Sequence, residues 1–394
     1  VSNEHGSAFQ RFYLTVRAYD EGIFVLSADE NKKGRVSFMR PLSREEQAEG
    51  KEETFHTNIF AAINPEYELN DPVDVKKIGP DVFLLSRGDN LVYRIDGQTF
   101  ELYSATNLGL ESPLMCPMVL CGKDRKVLAY YVLLGNGDFV RMDYNSDETF
   151  PNSLNVTEVD KVYSKEWMVG TNLRSYHYFL NYENSSVYYC FDICNLNRPT
   201  KMNLKLTQNR EELVNIVMDP NNPSFPSVVV ISRSQIDPRR ITQEVFMLQG
   251  SGFLSSSFKE SYRATNFTLS RESEIRSNDV YRSTFYTNGN KLYRWMLDAD
   301  MIGYSSYYNY ELALPETPVV DLGEGKEITC FDFSADSKQV YLGVYDPSLP
   351  DLKGSVYVYD ADKIDKATGE LQLLKKYEGI ADKPIKVFWK NNNK

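Results

Sequence analysis

One strand–turn–strand text recurs seven times along this chain, and few folds can absorb such a repeat. Each copy opens with a short apolar or alternating strand. A turn rich in Gly, Asn, Asp or Lys follows, and then a second strand that reads apolar–polar–apolar and often ends in Asp. The copies begin at Gly22, Asp81, Lys126, Arg174, Pro226, Tyr281 and Lys338. Aligned on one strand position, they bring Val36, Val92, Phe139, Val187, Val245, Leu292 and Val356 into register, about 53 residues apart on average. Repeats of roughly 40 to 50 residues built from four strands are the mark of propeller blades. A lone four-stranded sheet cannot hide both its faces, whereas sheets stacked around an axis bury them in series. The spacing therefore predicts an all-β chain folded as a seven-bladed β-propeller.

The text around the hairpins agrees. "PVDVKKIG", "CPMVLCG", "KEWMVGTN", "ELVNIVMD" and "EITCFDFSAD" precede them and read as innermost strands; "FELYSAT", "MNLKLTQ" and "LQLLKKYEG" follow them and read as outer edges. The segment from Lys383 to Lys390, "KPIKVFWK", reads as an innermost strand with no hairpin after it. An open ring would leave two unpaired edges, so Ile385–Trp389 is expected to complete the first blade beside the hairpin at Gly22. One stretch breaks the repeat. Ser43 and Glu46 fit a capping box, and Phe55, Ile59, Phe60 and Ile63 fall on one helical face. A short helical insertion after the first hairpin, over residues 44–63 with a break near Gly50, is predicted. Residues 1–19 are assigned to an N-terminal tail, or the last strand of a preceding domain, and residues 20–394 to the propeller.

Composition narrows the function classes. Aromatic residues make up 13% of the chain, with 27 Tyr and 21 Phe, as suits half-buried pleated surfaces. The net charge of −11 argues against nucleic acid and against an anionic membrane surface, both of which need a positive face. No apolar run approaches the length of about 18 residues that a membrane span requires, so no direct membrane insertion is expected. The chain opens at "VSNEHGSAFQRFYLTV", without an initiator Met or a leader-like apolar segment. Five cysteines (Cys116, Cys121, Cys190, Cys194, Cys330) are too few and odd in number for a disulfide framework. Cys190 and Cys194, four apart on one strand, would lie about 13 Å apart and so beyond bridging reach.

The segment "LTVRAYDEGIFVLSADENKKGRVSFM", with "IFAAINPEYELNDPVDVKKIG" after it, resembles the PKD-like family of bacterial surface lipoproteins. Those proteins join an N-terminal immunoglobulin-like region to a propeller-like one. The resemblance implies that Gln10–Ala18 ends a mostly missing Ig-like domain. It also implies an extracytoplasmic place on the outer-membrane surface, a lipid anchor through an N-terminal segment absent here, and a role in polysaccharide uptake. It transfers no catalytic residue.

Direct tests for chemistry return little. "SADENKKG" at Ser27 and "SADSKQVY" at Ser334 match a sialidase turn only in Ser and Asp, and both lack its Trp. His5, His56 and His177 are the only histidines, scattered over tail, insertion and strand. No G-x-S-x-G elbow, P-loop or dinucleotide fingerprint is present. "DPSLPDLKG" at Asp346 holds oxygen ligands of a kind Ca²⁺ uses, but reads as a Pro-punctuated hairpin loop. No catalytic residue, metal or cofactor is assigned. The most suggestive surface text is "MIGYSSYYNYELALP". There Tyr304, Tyr307, Tyr308 and Tyr310 offer flat faces and hydroxyls to a glycan, against the competing reading of a Tyr-rich strand packed between blades.

The expectation is a non-catalytic, monomeric extracellular binding or scaffold module that takes a glycan or a partner protein at a propeller face. Two alternatives stand beside it. One is a propeller glycoside hydrolase or lyase using paired carboxylates in the central funnel. The other is a pure protein–protein scaffold.

Overall fold

The computed structural model describes residues 19–78, 80–107, 211–218, 227–249, 253–278, 280–296 and 313–391. It also describes shorter pieces at 2–3, 6–7, 119–123, 126–133, 139–143, 154–156, 167–173, 176–182, 185–191, 200–202 and 204. Among these residues the chain forms six four-stranded antiparallel sheets, one three-stranded sheet and a two-stranded ribbon of Ser2–Asn3 with Gly6–Ser7. Each repeat hairpin supplies the second and third strands of one sheet. The fold is a β-propeller.

Sheet 1 joins Lys383–Asn391, Glu21–Ala28 and Gly34–Met39, in that order from the inside out. The C-terminal strand thus pairs with the first hairpin, as the orphan segment implied, with Val387 opposite Val25 and Trp389 opposite Ile23. Sheet 2 begins on Pro72–Ile78, sheet 3 on Val119–Lys123, sheet 4 on Trp167–Leu173, sheet 5 on Glu211–Met218, sheet 6 on Ile275–Asn278 and sheet 7 on Glu327–Phe333. All seven are innermost strands.

Side-chain alternation explains why the hairpin strands read as unbroken apolar runs. Successive residues of a strand point to opposite faces, and both faces are covered. Phe24 and Leu26 pack with Val82, Leu84 and Tyr93 of sheet 2. Their neighbours Ile23 and Val25 pack with Tyr341, Val356 and Val358 of sheet 7. The same rule sends Val340, Leu342 and Val344 to Phe285 and Leu292 of sheet 6. Val229 and Ile231 join Tyr286 and Tyr293 of sheet 6, while Val228 and Val230 join Tyr178 and Leu180 of sheet 4. Each such face removes several large side chains from water at about 25 cal/mol per Å², which holds the stack together.

The turns use residues that tolerate positive φ. Lys32, Asn90, Ser185 and Gly289 sit at φ 64°, 53°, 49° and 61°. Asp29 accepts from the backbone N–H groups of Asn31 and Lys33 through Oδ1. Ser334 Oγ donates to Asp336 while accepting from Gln339 N–H. Both sialidase-like segments are therefore ordinary blade turns. Asp346 likewise holds its own loop, accepting from Ser348 N–H, while its second oxygen faces Lys326 at 3.2 Å. That carboxylate is already neutralised.

The insertion forms two short helices, Arg44–Ala48 and Ile59–Ile63. The Ser43–Glu46 capping box is complete, and Gly50 has φ 72°. The expected helical face needs correction at Phe55. Residues 51–58 are not helical, because His56 pairs by backbone with Phe38 at the edge of sheet 1. Phe55 packs edge-on against Tyr377 of sheet 7, while Ile59 and Phe60 enter the core between sheets 1 and 2.

Candidate functional site

Innermost strands run beside the propeller axis, so the side chains they turn inward meet across a channel. A shared irregularity shapes them. In sheets 1, 2, 5 and 7 the register between first and second strand slips by one residue, at Pro384/Lys386, Pro72/Asp74, Leu213/Asn215 and Ile328/Cys330. A β-bulge of this kind re-aims the next side chain. The residues that follow the slips are Lys386, Asp74, Asn215 and Cys330.

Four of the sheets bring their charges together. Asp74 Oδ1 faces Lys386 Nζ at 3.7 Å, and Asp74 Oδ2 faces Lys76 Nζ at 4.0 Å. Arg276 Nε donates to Glu274 Oε2 at 3.0 Å, and Arg276 Nη1 lies 3.8 Å from Asp332 Oδ1. Lys76 also feels Lys386, Arg276 and Asp332 electrostatically, which joins sheets 1, 2, 6 and 7 in one cluster. Asp74 is the most enclosed member, its side chain 8% exposed, whereas Arg276 keeps 27% and Lys76 37%. The cluster is therefore reachable from solvent. Asp74 Oδ2 is buried and has no hydrogen-bond partner among the described residues. A buried carboxylate oxygen left without a donor is costly unless a ligand or water serves it.

The electrostatics follow from this crowding. Burial holds Lys76 below the usual lysine pKa, helped by the cations Lys386 and Arg276 and opposed by Asp74 and Asp332. Burial also disfavours the Arg276 cation, but Glu274 and Asp332 more than offset it and hold its pKa above the usual arginine value. The Cys330 thiol, wholly enclosed, is pushed up to about 12 by burial. It is a free, protonated cysteine and no nucleophile at neutral pH.

A cleft of about 430 Å³ opens between sheets 7 and 1, lined by Asp29, Glu30, Tyr345, Lys353, Asp382 and Lys383 among others. Pro384 and Ile385 also line it, and the next residue is Lys386. The rim charges are paired: Lys353 with Glu30, Lys383 with Glu327 at 2.7 Å, and Asp382 with Arg35 at 2.8 Å. Among the described residues no group of three His, Cys, Asp or Glu is placed to hold a metal, and no helix is long and apolar enough to cross a membrane. His56 is exposed on the insertion, away from this cluster.

Tyr304, Tyr307, Tyr308 and Tyr310, the ligand-binding residues expected from sequence, lie outside the described residues, as do Cys116 and Cys194. The site that the structure does assemble was missed. Its signal was present as charges in innermost strands, in "PVDVKK", "EIRSN", "CFDF" and "PIKVF".

No family model matches the chain, and no curated protein matches it. Solved structures do. A protein from Lactobacillus plantarum aligns at TM-score 0.59 and 12% identity, covering 94% of this chain and 99% of that one. The periplasmic gluconolactonase of Pseudomonas aeruginosa aligns at TM-score 0.56 and 12% identity, over 94% and 98%. A Bacteroides fragilis protein named as a candidate 6-phosphogluconolactonase aligns at TM-score 0.56 and 13% identity, over 96% and 99%. At such identities the likeness establishes the β-propeller fold.

Two expectations are corrected by these findings. The resemblance to PKD-like lipoproteins fails, since no family model matches and the similar structures include two with lactonase names. Its text from Gly22 is a blade hairpin, closed by the C-terminal strand and an Asp29 turn. The reading as a non-catalytic module falls as well. It rested on missing catalytic motifs and on the lipoprotein resemblance, whereas the similar solved structures include a gluconolactonase and a candidate 6-phosphogluconolactonase.

Proposed function

We propose that this chain is a propeller hydrolase that opens a sugar lactone or related cyclic ester at the channel cluster. The observation that carries the reading is Asp74, a buried carboxylate with one oxygen that accepts no hydrogen bond from the described residues, flanked by Lys386 and by Lys76, which itself feels Arg276. The match in outline to a gluconolactonase and a candidate 6-phosphogluconolactonase supports it.

Hydrolysis of a lactone needs a water activated at the carbonyl and a partner for the oxyanion that forms. Asp74 Oδ2 accepts a proton from the water as its oxygen bonds to the carbonyl carbon. The negative charge that develops on the carbonyl oxygen is met by Lys76 and Arg276, fixed cations in a partly desolvated channel. Collapse of the tetrahedral intermediate breaks the bond to the ring oxygen, and the proton held on Asp74 returns to that alkoxide. The product is an open-chain hydroxy acid. No metal is needed to balance these steps. The periplasmic address of one matching structure favours an extracytoplasmic location.

The test is a pH-stat assay with purified protein on glucono-1,5-lactone and other aldonolactones, measured against spontaneous hydrolysis in the same buffer. Saturable turnover above that background supports the reading. Background rates across the panel, with the protein folded, overturn it.

A further inference from the structure

The cleft between sheets 7 and 1 lies at the end of strands that also carry the channel cluster. Lys383, one of its lining residues, pairs with Glu327 at 2.7 Å. These two are the first residues of the innermost strands of sheets 1 and 7. Further along the same strands stand Lys386 and Asp332 of the cluster. Lys386 is about 10 Å from Lys383, at about 3.3 Å per residue of strand. The cleft volume of about 430 Å³ falls within the range of small-ligand pockets, about 300–1,000 Å³. Ala28, Pro384 and Ile385 give it apolar wall. Its charged groups are largely committed: Lys353, Lys383 and Asp382 to ion pairs, and Asp29 Oδ1 to its own turn. Asn31, Tyr345 and Asp351 differ, since none makes a side-chain hydrogen bond to another described residue. An amide, a phenol and a carboxylate are donors and acceptors that match sugar hydroxyls. Tyr345 is partly buried, with Lys383 Nζ 5.4 Å from its ring centre, a contact that orients the ring at the wall.

We infer that the cleft holds a second sugar unit of the substrate, so that the channel site takes glycosylated aldonolactones, disaccharides whose reducing-end unit is the lactone. This rests on the hydrolase reading of the same site, and it goes further by naming the size of the substrate. The lactone ring lies at Asp74, and the attached sugar hydrogen-bonds to Asn31, Asp351 and the Tyr345 hydroxyl. Contacts to such a remote unit supply binding energy that the reacting end can use.

Two arms separate the ideas. In the binding arm, cellobiitol, maltitol and sorbitol, none of them a lactone, are titrated calorimetrically. At least one disaccharide alditol is expected to bind about tenfold or more tightly than sorbitol, the worth of one or two net hydrogen bonds. Asn31→Ala, at an exposed turn, and Tyr345→Ala are each expected to cut that preference by about threefold or more. Equal affinity for all three alditols, or a full preference kept in both folded variants, overturns the inference. In the kinetic arm, kcat/KM is measured for cellobiono-, maltobiono- and glucono-1,5-lactone. A disaccharide lactone is expected to lead by about tenfold or more. Turnover of all three with equal efficiency overturns the inference and leaves the hydrolase reading intact. Tighter disaccharide binding without any turnover keeps the cleft as a sugar site while the hydrolase reading falls.

Discussion

Lys386 and Asp74 stand 3.7 Å apart although they come from opposite ends of the chain. Lys386 lies on the strand that closes the ring and Asp74 on the first strand of the next sheet. Closure of the propeller and assembly of the channel cluster are thus one event. A chain that failed to seat Lys383–Asn391 would lose one of the two lysines that face the cluster's most enclosed carboxylate.

Asp74→Asn is expected to lower kcat on any lactone the protein hydrolyses by about 10²- to 10⁴-fold, the usual worth of a positioned general base. KM should change little. Asp237→Asn, at an exposed pair with Arg263 on sheet 5, serves as a control and should stay within about twofold, since exposed pairs contribute little. Steady-state kinetics with thermal melts of both variants check this. Equal losses in the two would remove Asp74 from the mechanism.

Lys390 should leave a signature in the pH dependence of stability. It is fully buried on the closing strand, and its ammonium donates to the carbonyl oxygens of Tyr19, Asp20 and Gly97. Burial holds its pKa down at about 8, with Lys77 adding to the effect and Asp20 and Asp96 opposing it. The unfolded chain keeps this proton until about pH 10.4. Between those values the unfolded state binds more protons, so stability rises with pH across the window and gains nothing from this group below it. Denaturant melts at pH 8 and 9.5 should differ by about 1–2 kcal/mol more in the wild type than in Lys390→Met. Identical slopes would show that Lys390 is not depressed.

Gly343 marks how tightly sheets 7 and 1 are joined. A Cβ there would sit 2.4 Å from Cys330 Sγ and 3.0 Å from Pro384 Cβ. Gly343→Ala is expected to destabilise by about 1–3 kcal/mol through overpacking. In a Cys330→Ala background the penalty should shrink, because the atom it strikes is gone, leaving a coupling of about 0.5 kcal/mol or more. Chemical denaturation of the four proteins measures this. Strict additivity would place the clash elsewhere.

Much of the architecture was legible in the sequence, because the signals that specify it are local. Turns such as "GDN" and "TNGN" encode positive φ within a few residues, and Asn90 and Gly289 adopt it. The apolar runs around Phe24, Val82 and Val228 announce strands covered on both faces. Even ring closure was readable, since "KPIKVFWK" lacked a hairpin of its own. Phe55 was misassigned because helical spacing over a few residues does not reveal a backbone pairing such as that of His56 with Phe38.

What the sequence determined by itself was the β-propeller: a repeat with its own turns and strands, copied until the ring could close. What only the tertiary structure decided was the meeting of Asp74 and Lys76 with Arg276, Asp332 and Lys386. Asp74 and Lys76 share a strand, but nothing local to that strand marks the partners from the other sheets. They converge because innermost strands from four sheets line one axis, and because bulges in the strands of Asp74 and Lys386 turn those two side chains toward it. Proximity across an axis is a property of the closed ring, so no window of sequence contains it.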